Sequence, residues 1–171
     1  MGKKTGFTLL ELMIVIAIIA VVSAIVAPNL IRYLPNYRLG QASRDMLATM
    51  QLSRLKAVKE NASVVVLIDV GNNGYSAFVD DGAGGGTAGD RIRNGSEEIV
   101  RENSMPEGVE LYQTTFSSGY AQFNSRGLPG NGIGSVRMRN GQGRYKGVSV
   151  NITGNSKAII SSDSGGSWED E

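Results

Sequence analysis

The chain has 171 residues, enough for one domain with its own core, and carries seventeen basic and sixteen acidic residues for a formal charge of +1. It contains no cysteine and no histidine. That excludes a disulfide framework, thiol chemistry, His-dependent catalytic triads and Cys- or His-ligated zinc, while the near-neutral charge names no partner.

The first predicted element is the N-terminal one. Met1 to Gly6 is a short leader with Lys3 and Lys4. Removing it takes two of the seventeen basic residues and leaves fifteen against sixteen acidic. Phe7 to Ala27 is a run of 21 residues in which only Thr8, Glu11 and Ser23 are polar. A helix of that length spans a bilayer. The leader lysines predict a cytoplasmic N-terminus by the positive-inside rule, and so a single-pass protein with its C-terminal part outside the cytoplasm. Three readings of this segment compete. One is a plain anchor. Another is a secretory signal cut near Val22-Ser23-Ala24. Both leave Glu11 unexplained, because a carboxylate deep in an apolar span costs roughly 2.5–3.5 kcal/mol and marks a functional residue that needs a partner.

The third reading comes from a resemblance. Gly6-Phe7-Thr8-Leu9-Leu10-Glu11 resembles the processing motif of type IV prepilins and type II secretion pseudopilins. The resemblance implies that a prepilin peptidase cuts between Gly6 and Phe7 and N-methylates Phe7. Glu11 then stands fifth in the mature chain, the family's glutamate position, and Pro28 matches the proline that follows the apolar stretch. It further implies that Glu11 of one subunit attracts the Phe7 amine of a neighbour. In a low-dielectric setting such a pair sets axial register more than raw stability. The implied location is the bacterial inner membrane with a periplasmic domain, then a pilus or pseudopilus. The implied partners are the peptidase and other pilin or pseudopilin subunits.

Beyond the span, Pro28 and then Pro35 each remove a helical hydrogen bond and predict a kink or local melting. From Leu39 the pattern recovers. Leu39, Ala42, Met46, Met50 and Ala57 share one helical face, flanked by Leu47 and Val58, and this stripe suits packing on a sheet. Ala48, Leu52 and Leu55 lie nearly opposite, as a subunit contact or as the margin of a broad apolar face. Asn61 is the expected helix end. A continuous helix from Phe7 to Asn61 would be roughly 80 Å long, so its second half must pack against a domain.

The rest predicts short strands and turns. Val64–Val70 and Tyr75–Val79 flank Gly71-Asn72-Asn73-Gly74, a hairpin signal. Later strands are expected at Glu98–Arg101, Val109–Thr115, Tyr120–Asn124, Ser135–Arg139, Gly147–Ile152 and Lys157–Ser161. A long helix followed by an antiparallel β domain is an α+β fold. The expected organisation is a leader at 1–6, a transmembrane and assembly helix at 7–27, its amphipathic continuation at 28–61 and a periplasmic β-rich domain at 62–171. Phe78-Val79-Asp80-Asp81, Glu98-Ile99-Val100-Arg101, Met105-Pro106-Glu107-Gly108-Val109 and Tyr120-Ala121-Gln122-Phe123-Asn124-Ser125-Arg126-Gly127 resemble the minor-pseudopilin group called GspH/FimT. Members of that group are implied to be low-abundance or tip-proximal subunits rather than the bulk of the fibre.

Two ligand readings accompany this. Asp80, Asp81 and Asp90 surround a Gly-rich loop and could offer oxygens to calcium, but their spacing is not that of an EF-hand, and Gly84-Gly85-Gly86 more simply marks a mobile surface loop. No metal or cofactor is therefore expected. Leu111 to Ser162 holds no acid and six basic residues, Arg126, Arg137, Arg139, Arg144, Lys146 and Lys157, whereas the tail carries Asp163, Glu169, Asp170 and Glu171. Such a block can make an anion-binding face. Gly143-Arg144-Tyr145-Lys146 resembles the Gly-Arg-x-Arg element through which some FimT-like pilins take up DNA. That element is expected in a late turn, where this chain has Gly154-Asn155-Ser156-Lys157. DNA capture by Arg137, Arg139, Arg144, Lys146 and Lys157 is thus the alternative to a purely structural role. No nucleophile motif with a recognisable base is present, so the chain is not expected to be an enzyme. Trp168, the only tryptophan, is expected to dock the tail on the domain or to meet a neighbour.

Overall fold

The structure, a computed structural model, describes residues 7–171; the leader with Lys3, Lys4 and Gly6 lies outside the described residues. The chain divides into two compact units, Met1–Leu34 and Pro35–Glu171. Helix α1 is assigned over Leu9–Glu60. Of the kink or local melting expected at Pro28 and Pro35, melting does not occur, since the helix assignment runs through both. A proline removes only one backbone donor, and the flanking turns still close their own hydrogen bonds.

In the first unit the helix is almost wholly apolar from Leu9 to Ala27. Every residue from Leu9 to Ala27 is exposed, and this segment is long and apolar enough to cross a membrane. Its start is capped locally: Thr8 Oγ1 accepts a hydrogen bond from Glu11 N at 3.2 Å, and Thr8 O accepts from Leu12 N. Thr8-x-x-Glu11 has the spacing of a capping box, of which this is the threonine half.

In the second unit the helix changes character. Leu39, Ala42, Met46, Met50 and Ala57 are all buried, as the stripe predicts. Ser43, Thr49 and Ser53 are buried on the same side. Leu52, Leu55 and Val58 are exposed, so they are not part of the core. The helix stops in a Schellman motif. Asn61 takes φ 50°, Ala62 N donates to Ala57 O, and Asn61 N donates to Val58 O.

Nine strands follow in two antiparallel sheets, and the fold is α+β. The first sheet has the order β3-β2-β1-β5, from β1 (Ser63–Asp69), β2 (Gly74–Asp80), β3 (Ile99–Ser104) and β5 (Tyr120–Phe123). The second has the order β4-β6-β7-β8-β9, from β4 (Val109–Thr114), β6 (Gly134–Asn140), β7 (Tyr145–Val150), β8 (Ser156–Ser161) and β9 (Glu169–Asp170). Both sheets present alternate residues to one core under the helix: Val64, Val66 and Ile68 from β1, Val136 and Met138 from β6, Val148 and Val150 from β7. Asn73 fastens the two sheets together. Its Nδ2 donates to Val109 O at 2.9 Å, and its Oδ1 accepts from Leu111 N at 2.7 Å.

Strand β7 starts two residues before the expected Gly147 and stops at Val150. The reason is Asn151, whose side-chain oxygen accepts from the amides of Thr153 and Asn155 and so turns the chain. Strand β9 was not expected at all.

Candidate functional site

Phe7 and Glu11 lie at the start of the apolar helix. Phe7 is 84% exposed. The Glu11 side chain has no partner among the described residues, although its backbone amide is capped by Thr8. A carboxylate in an apolar span is costly without a partner, and among the described residues none is supplied.

The acidic residues around the Gly-rich loop are engaged in holding that loop. Asp80 is buried; its Oδ1 accepts from Gly89 N at 2.7 Å and its Oδ2 from Arg91 N at 3.1 Å. Glu97, also buried, accepts from Gly82 N and Asn94 N through its two oxygens. Asp90 accepts from Ile92 N and Asn94 Nδ2, and Asp81 from Ala83 N. The loop is thus cross-tied through its own amides rather than free. The Arg91 guanidinium lies 5.6 Å from the centre of the Tyr120 ring, on the face of the first sheet turned away from the helix. Among the described residues no group of three or more carboxylates is placed to hold a metal ion.

The basic residues do not form one face. In the register Arg137 stands opposite Gly147, and Lys146 opposite Met138. Because side chains alternate, Arg137, Arg139 and Lys157 project from the outer face of the second sheet and Lys146 from the helix side. Most are already engaged. Arg139 pairs with Glu110 at 2.8 Å and lies over the Tyr112 ring; hydrogen bonding to Glu110 raises its pKa above the ordinary guanidinium value. Arg137 donates to Gln113 Oε1 at 2.9 Å. Lys157 pairs with Asp170 at 2.6 Å, and Lys146 with Glu171. Arg144, in the β6–β7 turn, is exposed with no side-chain partner among the described residues. The two Gly-Arg-like turns sit at opposite ends of β7, so Arg144 and the Gly154 turn are not neighbours.

Sequence reasoning missed Arg54. From α1 it donates to Gly127 O at 3.0 Å, Asn155 Oδ1 at 2.6 Å and Thr153 O at 3.2 Å, tying the helix to two β turns. Those turns meet closely: a Cβ on Gly154, whose φ is +76°, would fall 2.1 Å from Gly127 O. Only the backbone glycines in both turns hint at this contact in the sequence.

Comparisons with known proteins match this layout. The model of the family described as Type II transport protein GspH matches residues 42–154, and that of the prokaryotic N-terminal methylation motif matches residues 1–27. Similar solved structures include the minor pseudopilin EpsH from the Type 2 Secretion System of Vibrio cholerae. It shares 12% identity over 72% of this chain and 97% of that one, with a TM-score of 0.55. The type IV minor pilin FimU of Pseudomonas aeruginosa shares 13% identity over 73% of this chain and 90% of that one, with a TM-score of 0.54. No curated protein sequence matches the chain.

Proposed function

The chain belongs to the GspH family of type II transport proteins, and we propose that it is a minor structural subunit of a type II secretion pseudopilus or type IV pilus. In this reading it is made as an inner-membrane precursor with its domain in the periplasm, cut between Gly6 and Phe7, methylated on Phe7 and assembled through its N-terminal helix. The observation that carries the reading is the conjunction at one end of the chain. The methylation motif covers residues 1–27, and the apolar segment inside it, Leu9–Ala27, is exposed throughout. A helix that buries none of its apolar surface in its own chain needs either lipid or other helices. An assembling subunit meets both in turn. Glu11 then finds the methylated amine of a neighbouring Phe7, and Pro28 marks the end of the membrane segment.

N-terminal peptide mass spectrometry of membrane-extracted protein tests the processing. The expected mature chain begins at N-methylated Phe7 and is lost in Gly6→Ala. A chain that retains Met1 to Gly6, or one cut near Ala24, would overturn the reading.

DNA capture has narrower support than the structural role, because Arg139, Lys146 and Lys157 are ion-paired and Arg137 is engaged by Gln113 and Trp168, which leaves Arg144 as the member with no side-chain partner among the described residues. If DNA binds there, retention falls steeply with salt and is lost on Arg144→Ala with Lys146→Ala. Retention unchanged in that double variant would remove this site. Calcium binding by Asp80, Asp81 and Asp90 gains nothing from carboxylates that already cap backbone amides.

A further inference from the structure

Residues beyond 154 lie outside the family match, yet they build one edge of the second sheet. Strand β9 pairs with β8 through Asp170 opposite Ile159 and Glu169 opposite Ile160, and Glu171 N donates to Ala158 O at 3.0 Å. Alternation then places Trp168 and Asp170 on the outer face of the sheet, and Glu169 and Glu171 on the helix side. One cation from each of β6, β7 and β8 meets the tail: Arg137 at Trp168, Lys146 at Glu171 and Lys157 at Asp170. On the outer face the Arg137 guanidinium lies 5.0 Å from the centre of the Trp168 ring, and Asp170 accepts from Lys157 at 2.6 Å. On the other face Glu171 pairs with Lys146. Gly147 stands between Arg137 and Ile159 in the register and leaves the outer face clear; a Cβ there would come within 3.2 Å of Ile159 Cγ1.

The tail is therefore held by an aromatic, half-buried beside Ile159, and by the consecutive carboxylates Asp170 and Glu171 on opposite faces of the sheet. Its hold is slight. Only two residues pair, both are exposed, and the Lys157 and Asp170 side chains are 59% and 62% exposed, where salt screens them. A six-residue strand edge capped by a two-residue strand is open to replacement by a longer one.

We propose that the outer edge of β8 is a docking edge for an extended acidic segment carrying an aromatic residue, supplied by a neighbouring subunit, with the C-terminal tail as its resident occupant. The identity of that neighbour rests on the filament reading above; the edge and its chemistry do not. Strand addition gives backbone hydrogen bonds to β8, and Arg137, Lys157 and Lys146 select the aromatic and the two carboxylates.

The probe is a synthetic peptide of residues 162–171. It is offered to detergent-solubilised full-length chain and to a chain ended after Ser161, with the folded state of each checked by circular dichroism and thermal unfolding. The peptide is expected to bind the shortened chain at least tenfold more tightly than the full-length one, and to lose that advantage with Lys146→Glu and Lys157→Glu. Equal binding to both chains, or none to a shortened chain that unfolds like the parent, would overturn the proposal. A second reading needs no truncation. Trp168 is the only tryptophan, so its emission reports tail docking directly. Raising salt from low to about molar concentration, where the screening length falls to roughly 3 Å, should shift that emission toward the solvent-exposed value while the circular dichroism stays constant. Emission that does not move would show a permanent cap. N-terminal processing is unaffected by either outcome, so failure here leaves the filament reading standing.

Discussion

The two halves of α1 share a backbone conformation and differ in everything their side chains do. From Leu9 to Ala27 every residue is exposed and nearly every one is apolar. From Leu39 to Ala57 one face is buried under two sheets, and Arg38, Arg54 and Lys56 on the other positions reach the β domain as ions or donors. The second half is a structural element of its own domain, and its stability is set by packing within the chain. The first contributes no buried residue to the core among the described residues. A single helix thus has one half that packs within its own chain and, in the proposed function, one half that serves assembly.

The largest effects should separate these halves. Met46→Ala removes a fully buried side chain and should cost about 2–5 kcal/mol, read as a lower denaturant midpoint for the domain. Ile18→Ala, on the exposed half, should leave that midpoint within about 0.5 kcal/mol. Equal effects on unfolding would break the distinction. Next comes Arg54→Ala, which leaves Gly127 O, Thr153 O and Asn155 Oδ1 without their donor. It should lower stability by about 1–3 kcal/mol. Arg54→Lys should recover only part of this, since an ammonium cannot reproduce the guanidinium fork.

Smaller still is an effect of acid on the tail. Asp163 is held well below the usual carboxylate range by the Ser167 hydroxyl and amide and by the Ser161 hydroxyl. A depressed folded pKa means that its contribution is present above the ordinary value near 4 and is lost as pH falls through the folded one. The Ser161–Ser167 turn should therefore hold from neutral pH to about 4 and loosen only below it. Trp168 emission should follow, and Asp163→Asn should remove that dependence. Loosening that begins above pH 5 would place the titrating group elsewhere. Hydrogen bonding and charge among Lys56, Glu98 and Glu60 raise the Lys56 pKa and lower that of Glu60, but both carboxylates are substantially exposed, so loss of the cluster should have a small effect.

What was legible in the sequence follows from range. The stripe Leu39–Ala57 could be read because helical periodicity is local, and Asn61 because a left-handed cap favours asparagine or glycine. Eight of the strands announce themselves through β-branched runs and Gly or Asn turns. Ser43, Thr49 and Ser53 are buried without an apolar signal to mark them: Thr49 Oγ1 donates locally to Asp45 O at 2.8 Å, Ser43 Oγ reaches across to Gly147 O, and Ser53 Oγ has no partner among the described residues. Arg54 and Asn73 act across long stretches of sequence, and nothing near either residue signals the partner. Strand β9 is acidic, against β propensity; Lys157 meets its Asp170, and Lys146 meets Glu171 just beyond it. The same pairing explains why a basic block that looks like an open anion site in the sequence is largely occupied in the fold. The proposed processing site at Gly6 and Phe7 rests on the motif alone.

The central claim is that the exposed half of α1 is an assembly surface with Glu11 as its register charge. The most direct test is mass spectrometry of isolated filaments and of the membrane fraction, from cells making either the natural chain or Glu11→Ala. The natural chain is expected in the filament fraction, beginning at N-methylated Phe7, while the variant is cut equally well yet stays in the membrane. A processed natural chain that never enters the filament fraction, or a Glu11→Ala chain that enters it undiminished, would contradict the account.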